Sequence, residues 1–310
     1  MPSNLKEEAC RKKSLLRQET PILEQKASIL LLNLFASTAF AKRILIGMSF
    51  FLFLGPLWGT EYQPWLGTYL EFEWRNSLRY QTYRYLSSHS HLTRYASDDF
   101  FLTSSLSLTA KPQFALEVEA TAARTRRQSG GIDHLRVNGR YAWMDDIAGD
   151  PVTFTTGLSF IQSFVESLKD PSSFHHGRSE AELFASIGKE TAQEDKWISR
   201  WWAMGGIGIA ERGSPWLRFD LSYSKRLKEK HELELFACTL WGLGHKALHR
   251  TSFHGYGSIQ HQSIDLGWRY TYLIDFLGSA SLAYTTRIYA RNFPVHTQQI
   301  VLQLLYTFGL

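Results

Sequence analysis

The chain has 310 residues, enough for one large domain or two ordinary ones, and carries 10 Trp, 14 Tyr and 20 Phe at a mean hydropathy of only −0.23. Residues 1–43 hold eight of its 34 Lys/Arg and four of its 29 Asp/Glu, which leaves 26 basic against 25 acidic residues in the rest and removes the charge basis for nucleic-acid binding. Cys10 and Cys238 are the only cysteines, so neither a disulfide framework nor a CxxC metal pattern is present.

Residues 1–26 are polar and mixed in charge. Two apolar runs follow, Ala27–Ala41 and Ile44–Trp58, split by Lys42-Arg43. Each is short of the roughly 20 residues that span a bilayer as a helix. The second has the layout of a secretory signal, with Lys42-Arg43 ahead of an apolar stretch that ends at Gly55-Pro56. Residues 1–59 are therefore expected to be a leader and signal segment, with the export signal near 42–59 and processing near residue 60. A helical hairpin or single anchor is the other reading of these runs. Nothing downstream is long and apolar enough for a polytopic helical protein.

From residue 60 onward the chain divides into about twelve alternating segments, each near the roughly 10 residues of a membrane-crossing strand. In Trp65–Ser77, Leu66, Thr68, Leu70, Phe72 and Trp74 face one way, and Glu71, Glu73 and Arg75 the other. Phe100–Ala110 sets Leu102, Leu106 and Leu108 against Thr103, Ser105 and Ser107; Lys111-Pro112-Gln113 then turns it into Phe114–Ala123, where Phe114, Leu116 and Val118 oppose Glu117 and Glu119. Leu135–Trp143 opposes Leu135, Val137, Tyr141 and Trp143 to Arg136, Asn138 and Arg140, and Val152–Phe164 opposes Phe154, Leu158 and Phe160 to Thr153, Thr155 and Ser159. Glu180–Ile187 and Trp197–Ile209 are less regular, the latter with Trp202 and Met204 opposite Trp201, Ile207 and Ile209. Trp216–Ser224 sets Leu217, Phe219, Leu221 and Tyr223 against Arg218 and Asp220. In Glu232–Trp241, Leu233 and Leu235 oppose Glu232 and Glu234; in Ser263–Tyr272, Ile264, Leu266, Trp268 and Tyr270 oppose Asp265 and Arg269. Phe276–Ile288 and a last strand ending at Leu310 complete the series.

Charge at every second position suits a wall with lipid on one side and a polar lumen on the other. The expected connections alternate in length. Lys111–Gln113, Met144–Pro151, Gly188–Lys196, Lys225–Lys230 and Leu273–Asp275 fall at one end; Arg79–Asp98, Arg124–Ile132, Val165–Arg178, Glu211–Pro215, Leu243–Gln260 and Tyr289–Gln298 fall at the other. Four of the second set are longer than nearly all of the first, as in barrels with short periplasmic turns and long outer loops. A soluble β-sandwich is the alternative architecture.

In the last strand Ile300, Leu302, Leu304, Tyr306, Phe308 and Leu310 are all apolar at a spacing of two, broken only by Val301 and Leu305 on the other face. This resembles the closing strand of Gram-negative outer-membrane β-barrels, although Leu310 stands where that pattern ends in an aromatic. The resemblance implies an all-β fold: an antiparallel transmembrane up-and-down barrel of about twelve strands (10–14) over residues 60–310. It also implies recognition of Leu304, Tyr306, Phe308 and Leu310 by the barrel-assembly machinery, and residence in the bacterial outer membrane among its lipid and lipopolysaccharide.

The inward set is then Glu71, Glu73, Arg75, Glu117, Glu119, Arg136, Arg140, Arg218, Asp220, Glu232, Glu234, Asp265 and Arg269, with Glu182 and Arg200 beside them. It makes either a polar conduit for small polar solutes or a lumen filled by paired charges, Glu117 and Glu119 lying near Arg136 and Arg140 on the next strand. His261-Gln262-Ser263 puts a base and a hydroxyl on one face. It is similar to the corresponding stretch of outer-membrane phospholipases and lipid A deacylases, but lacks the Asn-Gly-Arg that follows the phospholipase Ser. His89, His91, His175, His176, His245, His249 and His254 gather in loops, where His245 and His249 have a ligand spacing only on a helix; solvated loop histidines are the first reading and metal capture the second, and no cofactor motif is present. The expected function is a narrow passive channel. A lipid hydrolase using His261 and Ser263, and a structural or adhesive barrel acting through its loops, are the alternatives.

Overall fold

Lipid offers no hydrogen-bond partners, so a strand can cross a membrane only when both of its edges are paired. The structure, a computed structural model, describes residues 62–88, 91–193, 196–275 and 278–309. The leader and signal segment, the processing region near residue 60, and Leu310 lie outside the described residues. The strands are β1 (Glu71–Ser88), β2 (His91–Lys111), β3 (Phe114–Arg124), β4 (Gly131–Met144), β5 (Thr153–Ser163), β6 (Ser179–Gln193), β7 (Lys196–Ala210), β8 (Trp216–Lys228), β9 (His231–Gly242), β10 (Gln262–Ile274), β11 (Gly278–Arg291), β12 (Pro294–Val295) and β13 (Gln298–Gly309). Each long strand pairs antiparallel with its neighbours in sequence, and β1 pairs with β2 on one edge and β13 on the other. Twelve strands thereby close into a barrel, with β12 a two-residue pairing onto the far end of β1. At the closing seam Phe72 lies opposite Phe308, their rings stacked 5.3 Å apart.

Phe114, Leu116, Val118, Leu135, Val137, Phe160, Leu183, Ile207, Phe219, Leu221, Leu235, Leu266, Ile300, Leu302 and Leu304 all stand on the outer surface. A soluble domain would hide such side chains; a barrel wall presents them to hydrocarbon. Trp74, Trp143, Tyr223, Trp241 and Tyr272 are exposed with them and suit the interfacial levels. Among the described residues no helix is long and apolar enough to cross a membrane; strands make the crossing.

Several expected boundaries are wrong, the turn Gly188–Lys196 among them, since β6 runs on to Gln193 and β7 starts at Lys196. The first strand begins at Glu71, not Trp65: Leu70 takes a left-handed backbone with φ 59°, which breaks the extended run, and residues 62–70 turn into the barrel. The expected outer loop Arg79–Asp98 is instead the continuation of β1 and β2, paired as far as Ser88 opposite His91. Above the lipid the outer face of the hairpin meets water while its inner face packs against the loops, so no lipid-facing apolar row is enforced there. Arg84 and Asp98, exposed on the outside of that hairpin, form an ion pair at 3.0 Å. The remaining connections follow the expected asymmetry, with segments 164–178 and 243–261 at the same end as the β1–β2 hairpin.

The buried apolar cluster lies inside that outer end rather than along the axis. Tyr83, Leu86 and Tyr95 of the wall pack with Leu248, Phe253, Tyr256 and Ile259 of one loop and with Phe293 of another, and Phe174 leans on them. Three outer loops therefore fold into the barrel mouth. Close approach is needed at Gly208, where any side chain would collide with the Trp216 indole lying over it. Val118, opposite Leu106 and Val137 in the centre of the outer band, tests the assignment to lipid. Val118→Arg is expected to cost about 2–4 kcal/mol of unfolding free energy in phospholipid vesicles, measured by urea titration. A cost below about 0.5 kcal/mol would place that surface in water.

Candidate functional site: a charged chamber in the lumen

Alternation along the wall sets Glu73, Arg75, Glu117, Glu119, Arg136, Arg140, Arg218, Asp220, Glu232, Glu234, Asp265 and Arg269 on the inner face, with Glu71 at the inner rim opposite Gly309. Leu304, Tyr306 and Phe308 of β13 point outward. The charges group into local pairs. Arg75 reaches Glu73 at 3.1 Å and Glu117 at 3.6 Å; Arg269 reaches Glu234 at 2.8 Å; Arg218 reaches Glu182 at 3.6 Å. Arg287 grips Asp265 with two nitrogens, at 2.7 and 2.8 Å, the strongest geometry for such a pair. Glu119 takes Arg136 at 3.9 Å and His134 at 3.0 Å. Arg140 instead donates to the carbonyls of Gln63 and Trp65, at 3.0 and 3.4 Å.

Those carbonyls belong to the segment preceding β1, which crosses the lumen as a floor. Its backbone takes hydrogen bonds from wall side chains: Ser186 to the Tyr62 carbonyl at 2.6 Å and Thr155 to that of Pro64 at 2.5 Å. The Tyr62 hydroxyl accepts from Arg218 at 2.5 Å, and its ring meets Phe184 edge-on at 5.0 Å. Trp65 donates its indole N–H to Asp146 at 2.9 Å, in the turn between β4 and β5.

Above this floor lies a cavity of about 300 Å³. Its lining interleaves Arg79, Arg136, Arg218 and Arg287 with Glu119, Asp220 and Asp265, and adds Gln81, Thr103, Thr121, Ser263 and Gln299. Pro171, Ser172, Phe174 and Phe293 form its roof. The roof is tied to the wall where the Tyr83 and Ser172 hydroxyls meet at 2.7 Å and where Tyr256 donates to the Pro171 carbonyl at 2.8 Å. Arg79 and Arg287 complete the basic residues of the chamber. The first was hidden from sequence reasoning by its assignment to an outer loop, the second by lying among the small residues of β11.

Beside the roof runs a file of imidazoles and carboxylates. Asp133 sits within hydrogen-bonding distance of His134 and of His175, each at 2.9 Å. His175 also approaches Glu180 at 3.5 Å, and Glu180 lies 3.6 Å from His176. His176 stacks on Trp216 with ring centroids 3.6 Å apart and faces His261 nitrogen to nitrogen at 3.0 Å. Burial opposes charge on His175, but the Asp133 and Glu180 carboxylates outweigh it and hold its pKa up to about 10. His261 is the opposite case: burial first, then His176 and Arg287, push its pKa well below the usual imidazole range. His175 and His176 stood out in sequence only as loop residues. Asp133 and His134 fell between segments, because a bulge opposite Thr121 and Ala122 turns two consecutive side chains inward.

His261 and Ser263 both point into the barrel and are buried. Among the described residues no hydrogen bond joins them. The His261 Nε2 is taken by His176, and its Nδ1 has no partner.

No protein-family model matches the chain, and no curated protein matches it. Its fold does match solved structures. The COG4313 outer membrane channel from Pseudomonas putida F1 superposes over 80% of this chain and 99% of its own, with a TM-score of 0.59 at 8% identity. The KdgM porin in complex with disordered oligogalacturonate covers 77% of this chain and 99% of its own, at a TM-score of 0.48 and 9% identity. The NanC porin covers 75% and 100%, at 0.47 and 8%. The chain has the fold of an outer-membrane β-barrel.

The depressed His261 pKa has a consequence for stability. The unfolded chain takes up a proton on this residue near pH 6.5, whereas the folded chain resists it. Its contribution is therefore complete above pH 6.5 and is lost as the pH falls below that value. His175, held protonated when folded, gains the opposite way until the unfolded chain is protonated too, so the expected drop in melting temperature lies between about pH 6.5 and 5. His261→Phe, which keeps the aromatic contacts with Phe174, Tyr256 and Phe293, flattens that limb. Equal slopes in the two proteins would remove His261 as the cause.

Proposed function

We propose that the protein is a narrow passive channel in the outer membrane for small polar or charged solutes, with the lumenal chamber as its selecting element. The observation that carries this reading is the lumenal cavity lined by four arginines and three carboxylates. Charges of both signs interleaved around the lumen offer partners to a polar solute and replace part of its hydration shell. The fold shared with an outer membrane channel is in keeping with this reading.

The sign of the selectivity follows from which charges remain uncompensated. Arg287 is neutralised by Asp265, Arg218 by Glu182 and Arg136 by Glu119. Arg79 makes no ion pair among the described residues, its Nε lacks a hydrogen-bond partner, and its guanidinium lies 4.2 Å over the Phe101 ring. Asp220, also in the lining, stands outside these pairs as well, so one cation and one carboxylate are left over and Arg79 is the group that attracts anions. The floor segment crosses the lumen on hydrogen bonds from wall side chains, so its removal is the change that widens the passage. A hydrolase centred on His261 and Ser263 is the weaker reading, because both residues are buried inside the barrel rather than facing the lipid.

The chain purified in detergent and inserted into a planar bilayer is expected to give small, discrete current steps. Removing residues 62–68 from it raises the unit conductance several-fold. Arg79→Glu moves the anion-to-cation permeability ratio toward cations by about three- to tenfold, equivalent to roughly 0.7–1.4 kcal/mol in the local potential. A folded, heat-modifiable protein that stays silent in both forms would overturn the channel reading.

A further inference from the structure

We infer that Asp133, His134 and His175 form a binding site for one divalent transition-metal ion of the zinc class, which fastens the roof loop to the barrel wall. One carboxylate oxygen and one ring nitrogen from each histidine lie within 4.8 Å of one another, close enough to share an ion. The two imidazoles stand edge to face with centroids 5.1 Å apart, so both can direct a lone pair at one point without clashing.

Three features set this group apart from an ordinary polar network. First, each histidine turns its other nitrogen toward a second carboxylate, His134 Nε2 to Glu119 at 3.0 Å and His175 Nδ1 to Glu180 at 3.5 Å. A carboxylate behind each imidazole fixes ring orientation and raises ligand basicity, which is the support that metal-bound histidines receive. Second, Asp133 is 3% exposed and its Oδ1 has no hydrogen-bond partner, a buried oxygen that an ion beside it would satisfy. Third, the group is reachable: His134 and Glu119 line the chamber, so an ion arriving through the lumen meets the site directly.

The β4 bulge is what builds the site. It turns Asp133 inward beside His134, where regular alternation would have sent one of them to the outside. His175 comes from the loop between β5 and β6, so a bound ion would join that loop to the wall. Two imidazoles and one carboxylate suit zinc, cobalt, nickel or copper better than calcium or magnesium, which prefer oxygen. Binding displaces the protons now shared between Asp133 and the two rings, so affinity falls as the pH falls.

The test uses the full chain in detergent, stripped with a chelator and titrated with Co²⁺ at pH 7.5. One equivalent is expected to bind with a visible d–d band, and Zn²⁺ is expected to abolish the band. Asp133→Asn and His175→Gln should each remove it, while Glu180→Gln weakens binding about 10- to 100-fold through loss of the supporting carboxylate. His249→Gln, in a different outer loop, should leave the titration unchanged. Heat-modifiable migration on gels shows whether each variant is folded. Absence of the band in folded wild-type protein would overturn the inference. So would a band that survives in folded Asp133→Asn and His175→Gln, which would place the ion elsewhere.

Discussion

Closure is the constraint from which the rest of the structure follows. Because β1 is paired on both edges, by β2 and by β13, the wall has no free row of backbone N–H and C=O groups. Only such a ring can stand in hydrocarbon, and once it does the outer face must be apolar. The polar half of every strand has then one place to go. The charges of the lumen follow from the alternation that closure imposes, and their pairing into Arg75–Glu117, Arg218–Glu182 and Arg287–Asp265 limits the cost of crowding them together.

Where a strand lies between lipid and lumen, its residues reveal it. Phe114–Ala123, Leu135–Trp143 and Trp216–Ser224 alternate because each face meets a different medium, and these segments match β3, β4 and β8 closely. The signal fails where the outer face no longer meets lipid. Much of 79–98 has water outside and the loop cluster inside, so charges such as Arg84 and Asp98 stand on the outer face and the extended hairpin looks like a loop. Residues 65–70 fail for another reason. Leu66, Thr68 and Leu70 continue the period of Phe72 and Trp74 by coincidence, and the left-handed turn at Leu70 leaves no mark in the pattern.

The candidate site was legible in part. That charges would line the lumen could be read strand by strand. Which charge faces which could not, because Arg75 meets Glu117 two strands away and Arg140 spends its hydrogen bonds on the floor segment. The imidazole–carboxylate file was hidden further, since Asp133, His175 and His261 are far apart in the chain and are brought together only when two loops fold into the mouth. A bulge residue such as Asp133 is also invisible to any reading based on period.

The roof has a physical character different from the wall that carries it. Tyr83, Leu86, Tyr95, Phe253, Tyr256, Ile259 and Phe293 make the kind of cluster found in a water-soluble domain, assembled by removing apolar surface from water. The wall exchanges lipid contacts for protein contacts and has no comparable dependence on hydration. The two parts should therefore respond differently to temperature. Apolar association weakens on cooling, so the mouth loosens in the cold while the ring beneath it stays shut. A single barrel thus contains two stability curves with separate maxima, and an organism's working temperature sets how firmly the outer end is closed.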